Sequence, residues 1–196
     1  ELYNGITEYV ASDTGRMVAV GHPLGEFYLN RYAGVNPTNG DALWYTKDGE
    51  ITTEYNESDK VMLGKTHEAP WQGGFGTTLS WQGFSLSAQF TWVADRWMLN
   101  NDRVFQESNG LFSAYNQSKR MLYDRWKKPG DVTDIPRYGV TPQLDSRFLE
   151  DASFLRLKNL MLSYTFPQKW LQRTNFLSSA RIYAQGQNLL TFTSFT

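Results

Sequence analysis

Residues 84–92, FSLSAQFTW, alternate without a break. Phe84, Leu86, Ala88, Phe90 and Trp92 fall on one parity, and Ser85, Ser87, Gln89 and Thr91 on the other. Period two belongs to a β-strand, whose successive side chains point to opposite faces; a helix would scatter the same residues around its axis. Residues 73–81 repeat the pattern more weakly through Phe75, Thr77, Leu79 and Trp81. Gln82-Gly83 between the two runs is short enough for a tight hairpin turn, with the glycine supplying positive φ. A second pair closes the chain. Over 154–166, Leu160, Leu162, Tyr164 and Phe166 oppose Asn159, Met161, Ser163 and Thr165. Over 180–192, Ala180, Ile182, Ala184 and Gly186 oppose Arg181, Tyr183, Gln185 and Gln187. A dry core would demand a partner for every polar group, so Arg181, Tyr183, Gln185 and Gln187 are candidates to face a wet lumen.

Two all-β architectures fit such strands: a soluble sandwich with one polar face, or a membrane barrel. The mean hydropathy of −0.51 and the lack of a long apolar run exclude a transmembrane helix, which needs roughly 20 apolar residues. They do not exclude a barrel, where lipid-facing and lumen-facing residues alternate and the average looks water-soluble. Strands of about ten residues, tilted near 45°, span an apolar band of roughly 25 Å. Aromatic residues mark the strand ends, with Trp81 and Phe84 at one turn, Phe166 and Trp170 at another, and Trp71 and Trp92 opposite. Connections alternate too, short at 82–83 and moderate at 167–179, but long at 21–70 and 96–153. Outer-membrane barrels show that asymmetry, with short periplasmic turns and long extracellular loops. Arg156 and Lys158 fall on the apolar parity, which argues against lipid along the whole strand unless both sit at the rim. Four spanning strands, or six with residues 6–10 and 16–20, are fewer than the eight a closed barrel needs. A membrane version of this chain is therefore part of a larger barrel, because an open sheet edge in lipid leaves backbone groups unpaired.

The long connections carry their own signals. Asn36-Pro-Thr-Asn-Gly40 and Lys47-Asp-Gly49 are turn sequences around residues 42–45, indicating an elaborated loop or small hairpin. Leu111, Tyr115, Leu122 and Trp126 share a helical stripe that Pro129-Gly130 would end, which predicts one helix over 111–126. Residues 131–145 are proline-rich and irregular.

Little in the chain suggests catalysis. Of 196 residues none is cysteine and two are histidine; His22 lies in a Gly-His-Pro-Leu-Gly turn and His67 in a polar loop. Neither fits a zinc spacing, and no cofactor is expected. Asp41, Asp48, Glu50, Glu54, Glu57 and Asp59 make an acidic loop without the ordered spacing of a calcium hand. A net charge of −1 provides no basic footprint for nucleic acid. Trp44, Tyr45 and Tyr55 are candidate ligand contacts, since aromatic faces on loops stack on sugars; the competing role is a small core of the loop itself.

A series of motifs runs along the chain: GHPLGEFY at 21–28, RYAGVNP at 31–37, GDALWY at 40–45, and GGF at 73–75 leading to WQGF at 81–84. RW at 125–126 and TDIP at 133–136 follow, then FLEDASFLRLKNLMLSYTFP at 148–167 and GQNLLTF at 186–192. In this order they resemble the SusC/RagA family of TonB-dependent outer-membrane transporters. The resemblance implies the C-terminal part of a transmembrane β-barrel in the bacterial outer membrane. Plug and TonB-interacting segments are expected to lie outside the chain, as are final closing strands. It further implies an importer of oligosaccharides or peptides that works with a SusD-like surface lipoprotein, is powered through TonB, and is not an enzyme. The alternative is a soluble, secreted β-sandwich that binds glycan.

Overall fold

The computed structural model describes residues 8–11, 15–112, 114–172 and 176–195. The strands run β1 (Glu8–Ala11), β2 (Arg16–Ala19), β3 (Glu26–Leu29), β4 (Arg31–Val35), β5 (Ala42–Tyr45), β6 (Ile51–Thr52) and β7 (Val61–Thr66). Then come β8 (Trp71–Trp81), β9 (Phe84–Ala94), β10 (Trp97–Leu99), β11 (Leu149–Asp151), β12 (Phe154–Thr165) and β13 (Arg181–Thr193). The helices are short: α1 (Asn101–Gln106), α2 (Lys119–Tyr123) and α3 (Gln168–Leu171). The chain divides into two compact units, one from residues up to 68 with 96–151, the other from 69–95 with 152–196.

The second unit is an antiparallel meander in the order β13-β12-β9-β8. Register runs unbroken between β8 and β9, from Trp71 opposite Ala94 to Trp81 opposite Phe84. Gln82 and Gly83 have φ of 46° and 89°, the double positive that lets a two-residue turn match the strands' twist. A Cβ on Gly83 would also stand 2.8 Å from the Thr165 carbonyl oxygen, so glycine is needed there twice over. Despite the excursion between them, β9 and β12 pair along their length, from Phe84 opposite Tyr164 to Val93 opposite Phe154.

This sheet has two faces of opposite character. Phe75, Leu79, Trp81, Phe84, Leu86, Leu162 and Ile182 lie on one face, and all are exposed, Trp81 by 71% and Phe75 by 57%. Phe75 stacks on Phe90 at 4.9 Å, and Phe84 meets Tyr164 at 4.6 Å. Each such side chain forgoes about 1.5–3 kcal/mol if it faces water, so the face calls for an apolar medium. The other face carries Thr78 and Ser80, whose hydroxyls donate to those of Ser87 and Ser85 at 3.2 Å. Eleven residues at about 3.4 Å each make β8 and β9 some 37 Å long; tilted near 45° they match an apolar band of about 25 Å.

A β-bulge interrupts β12 at Lys158. Leu157 sits opposite Phe90 and Leu190, and Asn159 opposite Gln89 and Gln187, so Lys158 is an extra residue against β9 and faces two residues, Asn188 and Leu189, on β13. Everything before it changes face. Arg156 therefore joins Thr91 and Thr191 on the polar side, while Leu155 joins Trp92 and Phe192 on the apolar side. The strict alternation that put Arg156 among apolar residues fails at this point.

The first unit contains the sheet β1-β2-β3-β7, the sheet β4-β5-β6 and the pair β10-β11. Within residues 21–70 the turn sequences at 36–40 and 47–49 close the β4-β5 and β5-β6 hairpins, while β3 and β7 join the other sheet. Phe27, Leu29 and Leu149 form a core against which Leu63, Trp97, Leu99 and Leu144 pack. Of the single helix expected over 111–126 only the five residues of α2 are helical; α1 lies before that range. Asn109 and Gly110 adopt φ of 56° and 93°, which breaks the helical path before Leu111. Ser118 instead caps α2 by accepting from the Arg120 amide. Leu111 and Tyr115 lie outside both helices, and Tyr115 packs with Phe105 and Phe112.

Candidate functional site

In the first unit, segments about a hundred residues apart in sequence are held side by side. Tyr32 N donates to Ser146 Oγ at 2.9 Å and Ser146 N to Asn30 O at 3.0 Å. Arg137 closes a second contact, its backbone N donating to Gly40 O and its Nε to Asp41 Oδ1, both at 2.9 Å. Gly130 N and Trp126 Nε1 converge on Pro37 O. The two long connections fold as one body.

Trp44 lies at the centre of that body. It is only 6% exposed, meets Tyr32 and Tyr55 edge-on at 6.3 and 5.5 Å, and donates Nε1 to Asp145 Oδ2 at 2.7 Å. No face of the indole is open to stack on a ligand. Tyr55 is half-buried and donates its hydroxyl to Leu144 O at 3.4 Å. Desolvation, reinforced by the Glu57 and Asp145 charges, pushes its phenol up to about 12. Burial raises the Tyr32 phenol as well, against the pull of Arg147. Tyr45 is half-buried beneath the Arg31 guanidinium, 5.3 Å from the ring centre. Of the three loop aromatics, Trp44 and Tyr55 serve the body's own packing.

Asp145 is the buried acid of this cluster. It is 2% exposed, accepts from Trp44 Nε1 and from the Arg147 amide, and caps the short 3-10 turn Ser146–Phe148. Burial raises its carboxyl, and the two hydrogen bonds and the Arg147 charge offset only part of that. Glu107, at 1% side-chain exposure, is clamped by Arg103 at 3.0 Å and Arg120 at 2.6 Å. Arg103 also reaches Glu150 at 2.5 Å, and Arg120 reaches Asp134 at 2.8 Å. For Arg103 and Arg120, burial lowers guanidinium basicity, but the carboxylate partners more than compensate and the net shift is upward. Neither Asp145 nor Glu107 stood out in the sequence, because isolated acids in polar loops look like solvated ones.

The histidines are tied up locally. His22 Nδ1 lies 3.0 Å from the buried Glu26 carboxylate, and His67 contacts Gly25 O and Arg16. Among the described residues no group of three or more His, Asp or Glu side chains could hold a metal.

On the second unit's polar face, the structure brings Arg181, Tyr183, Gln185 and Gln187 into one row along β13, all exposed. Arg181 Nη2 donates to Ser163 Oγ at 2.7 Å, and Gln185 Nε2 to Asn159 Oδ1 at 2.9 Å. Arg156 is the residue that sequence alternation missed on this face.

No family model matches the chain. Among curated proteins of Formosa agariphila, TonB-dependent receptor P3 is 28% identical over 191 residues, 89% of this chain. TonB-dependent receptor P26 is 30% identical over 157 residues, 76% of this chain. A solved structure of the RagAB peptide transporter aligns with 99% of this chain at 37% identity and a TM-score of 0.91. This is β-barrel sequence of the SusC/RagA family. A second structure, the RagAB peptide importer in its closed-closed state, aligns at 38% identity and a TM-score of 0.89. The SusC/RagA segment seen here spans 18% and 14% of the two curated receptors and 22% of the RagAB chain. Its open sheet is accordingly a partial barrel, with β8 and β13 at the edges. These relatives are receptors and transporters and not enzymes.

Proposed function

We propose that the chain supplies part of the wall and part of the extracellular surface of an outer-membrane TonB-dependent nutrient importer. The two-faced sheet carries the proposal. Its exposed aromatic and aliphatic face is suited to lipid, and its Ser, Thr, Gln, Asn and Arg face to a water-filled lumen. A soluble glycan-binding sandwich would leave Trp71, Phe75, Leu79 and Trp81 in water on a strand exposed from end to end. Phe84, Tyr164, Phe166 and Trp170 stand in a chain of ring contacts at one end of the sheet, where an interfacial girdle belongs.

On this reading β8 and β13 pair with further strands of the same barrel, since neither edge is viable in lipid. The first unit, packed as one body, forms the outer surface on which a SusD-like lipoprotein docks. TonB engages the receptor through segments outside this chain. The cargo is a peptide or an oligosaccharide, and the likeness to the RagAB peptide transporter favours peptide. The deciding experiment is uptake of labelled peptides and labelled oligosaccharides by cells carrying the full-length receptor, with and without TonB and the cognate lipoprotein. Uptake that depends on both, of one cargo class, is expected. A receptor found in the detergent-free soluble fraction, or uptake indifferent to TonB, would sink the proposal.

A further inference from the structure

We infer that the polar face of the sheet carries an oxyanion-binding patch centred on Arg156, which selects carboxylate-bearing solutes as they pass. The inference rests on the reading of this face as lumen wall, and deepens it to a substrate chemistry.

The bulge at Lys158 is the first observation. Without it, Arg156 would share a face with Leu160 and Leu162; with it, Arg156 stands between Thr91 on β9 and Thr191 on β13. The second is how the guanidinium is held. Nε donates to Thr191 Oγ1 at 3.0 Å, and the guanidinium carbon lies 4.8 Å from the centre of the Phe154 ring on the same face. Among the described residues Nη1 and Nη2 make no hydrogen bond or ion pair. A half-buried guanidinium anchored by Nε and by stacking, with both terminal nitrogens free, is a planar fork already oriented for a carboxylate.

The surroundings agree in sign. The adjacent row of the face is Gln89, Asn159 and Gln187, which adds amide donors. Arg181 lies further along the same face. Residues 69–95 and 152–196 hold a single acidic side chain, Asp95, which lies past the end of β9. A face with two guanidinium groups, hydroxyls and amides, and no carboxylate of its own, attracts anions in a confined aqueous channel, where screening is weaker than in bulk water. Three other occupants are tested alongside: a neutral solute, a lipid phosphate, and a carboxylate from elsewhere in the receptor.

The test uses the full-length receptor in detergent and two N-acetylated, C-amidated five-residue alanine peptides, one with a central glutamate and one with a central glutamine. Wild-type receptor is expected to bind the glutamate peptide about tenfold more tightly at low salt, the gain expected of a hydrogen-bonded charge pair. That preference should shrink as salt rises. Arg156→Gln is expected to abolish it while leaving affinity for the glutamine peptide within about twofold. Arg156→Lys, which keeps the charge but loses the fork, should fall between. Equal affinity of wild type for both peptides overturns the inference. So does an equal loss of both in Arg156→Gln. A lower melting temperature in Arg156→Gln with selectivity intact would assign the guanidinium to a carboxylate of the receptor itself. Selectivity that appears only when anionic lipid is present would assign it to lipid. Binding selectivity is read without transport, so its failure leaves TonB-dependent uptake to be judged separately.

Discussion

Replacing Asp145 by Ala tests whether the two long connections are one folded body. The substitution removes both acceptors of a carboxylate that is 2% exposed, leaving Trp44 Nε1 and the Arg147 amide without their partners. A hydrogen bond to a charged group contributes about 1.5–3 kcal/mol, and loss of the helical cap about 1 kcal/mol. The carboxylate is also strained by burial, as its raised proton affinity shows, and its removal relieves part of that cost. The net expectation is a loss of roughly 2–4 kcal/mol from the local stability of this body. Trp44→Phe keeps the ring packing and deletes only the donor, so it should cost less, roughly 1–3 kcal/mol. The double variant should fall short of the sum, because each single change already breaks the same bond. Native-state hydrogen exchange or pulse proteolysis of the full-length receptor reads this opening directly, with the barrel's resistance to unfolding in detergent as the control. If Asp145→Ala opens within about 0.5 kcal/mol of wild type, or the two changes add, the Trp44–Asp145 bond does not hold the body together.

The same body should loosen in alkali. Tyr32 and Tyr55 have phenols raised in the folded state, so their stabilisation is complete below pH 10 and is lost as pH climbs, for Tyr55 through about 12 and for Tyr32 only in stronger alkali; proteolysis across that window checks it. Glu107→Gln removes the shared carboxylate while Arg103 keeps Glu150 and Arg120 keeps Asp134, and should cost roughly 1–3 kcal/mol in exchange protection of α1 and α2. Phe75→Arg places a charge near the middle of β8 on the apolar face, with an expected loss of about 2–4 kcal/mol in membrane folding; Gln89→Arg on the polar face should be nearly neutral. Equal outcomes for these two in a lipid refolding assay would contradict the assignment of faces.

The sequence alone is enough to establish the two-faced strands, because side-chain parity is a local property that covalent geometry enforces residue by residue. The tight turn at Gln82-Gly83 is local in the same way. The motifs at 148–167 and 186–192 carried the family. Tertiary structure decided what depends on partners far along the chain. The bulge at Lys158 shows only in the pairing of β12 with β9 and with β13, and it reverses the face of Arg156 against its own parity. The helix expected over 111–126 yielded to the left-handed turn at Asn109-Gly110 and to the clustering of Phe105, Phe112 and Tyr115. Trp44 looked like an open loop aromatic because its partner, Asp145, is 101 positions away. Local pattern specifies which way a side chain points from its own strand; only the folded chain specifies what is waiting there.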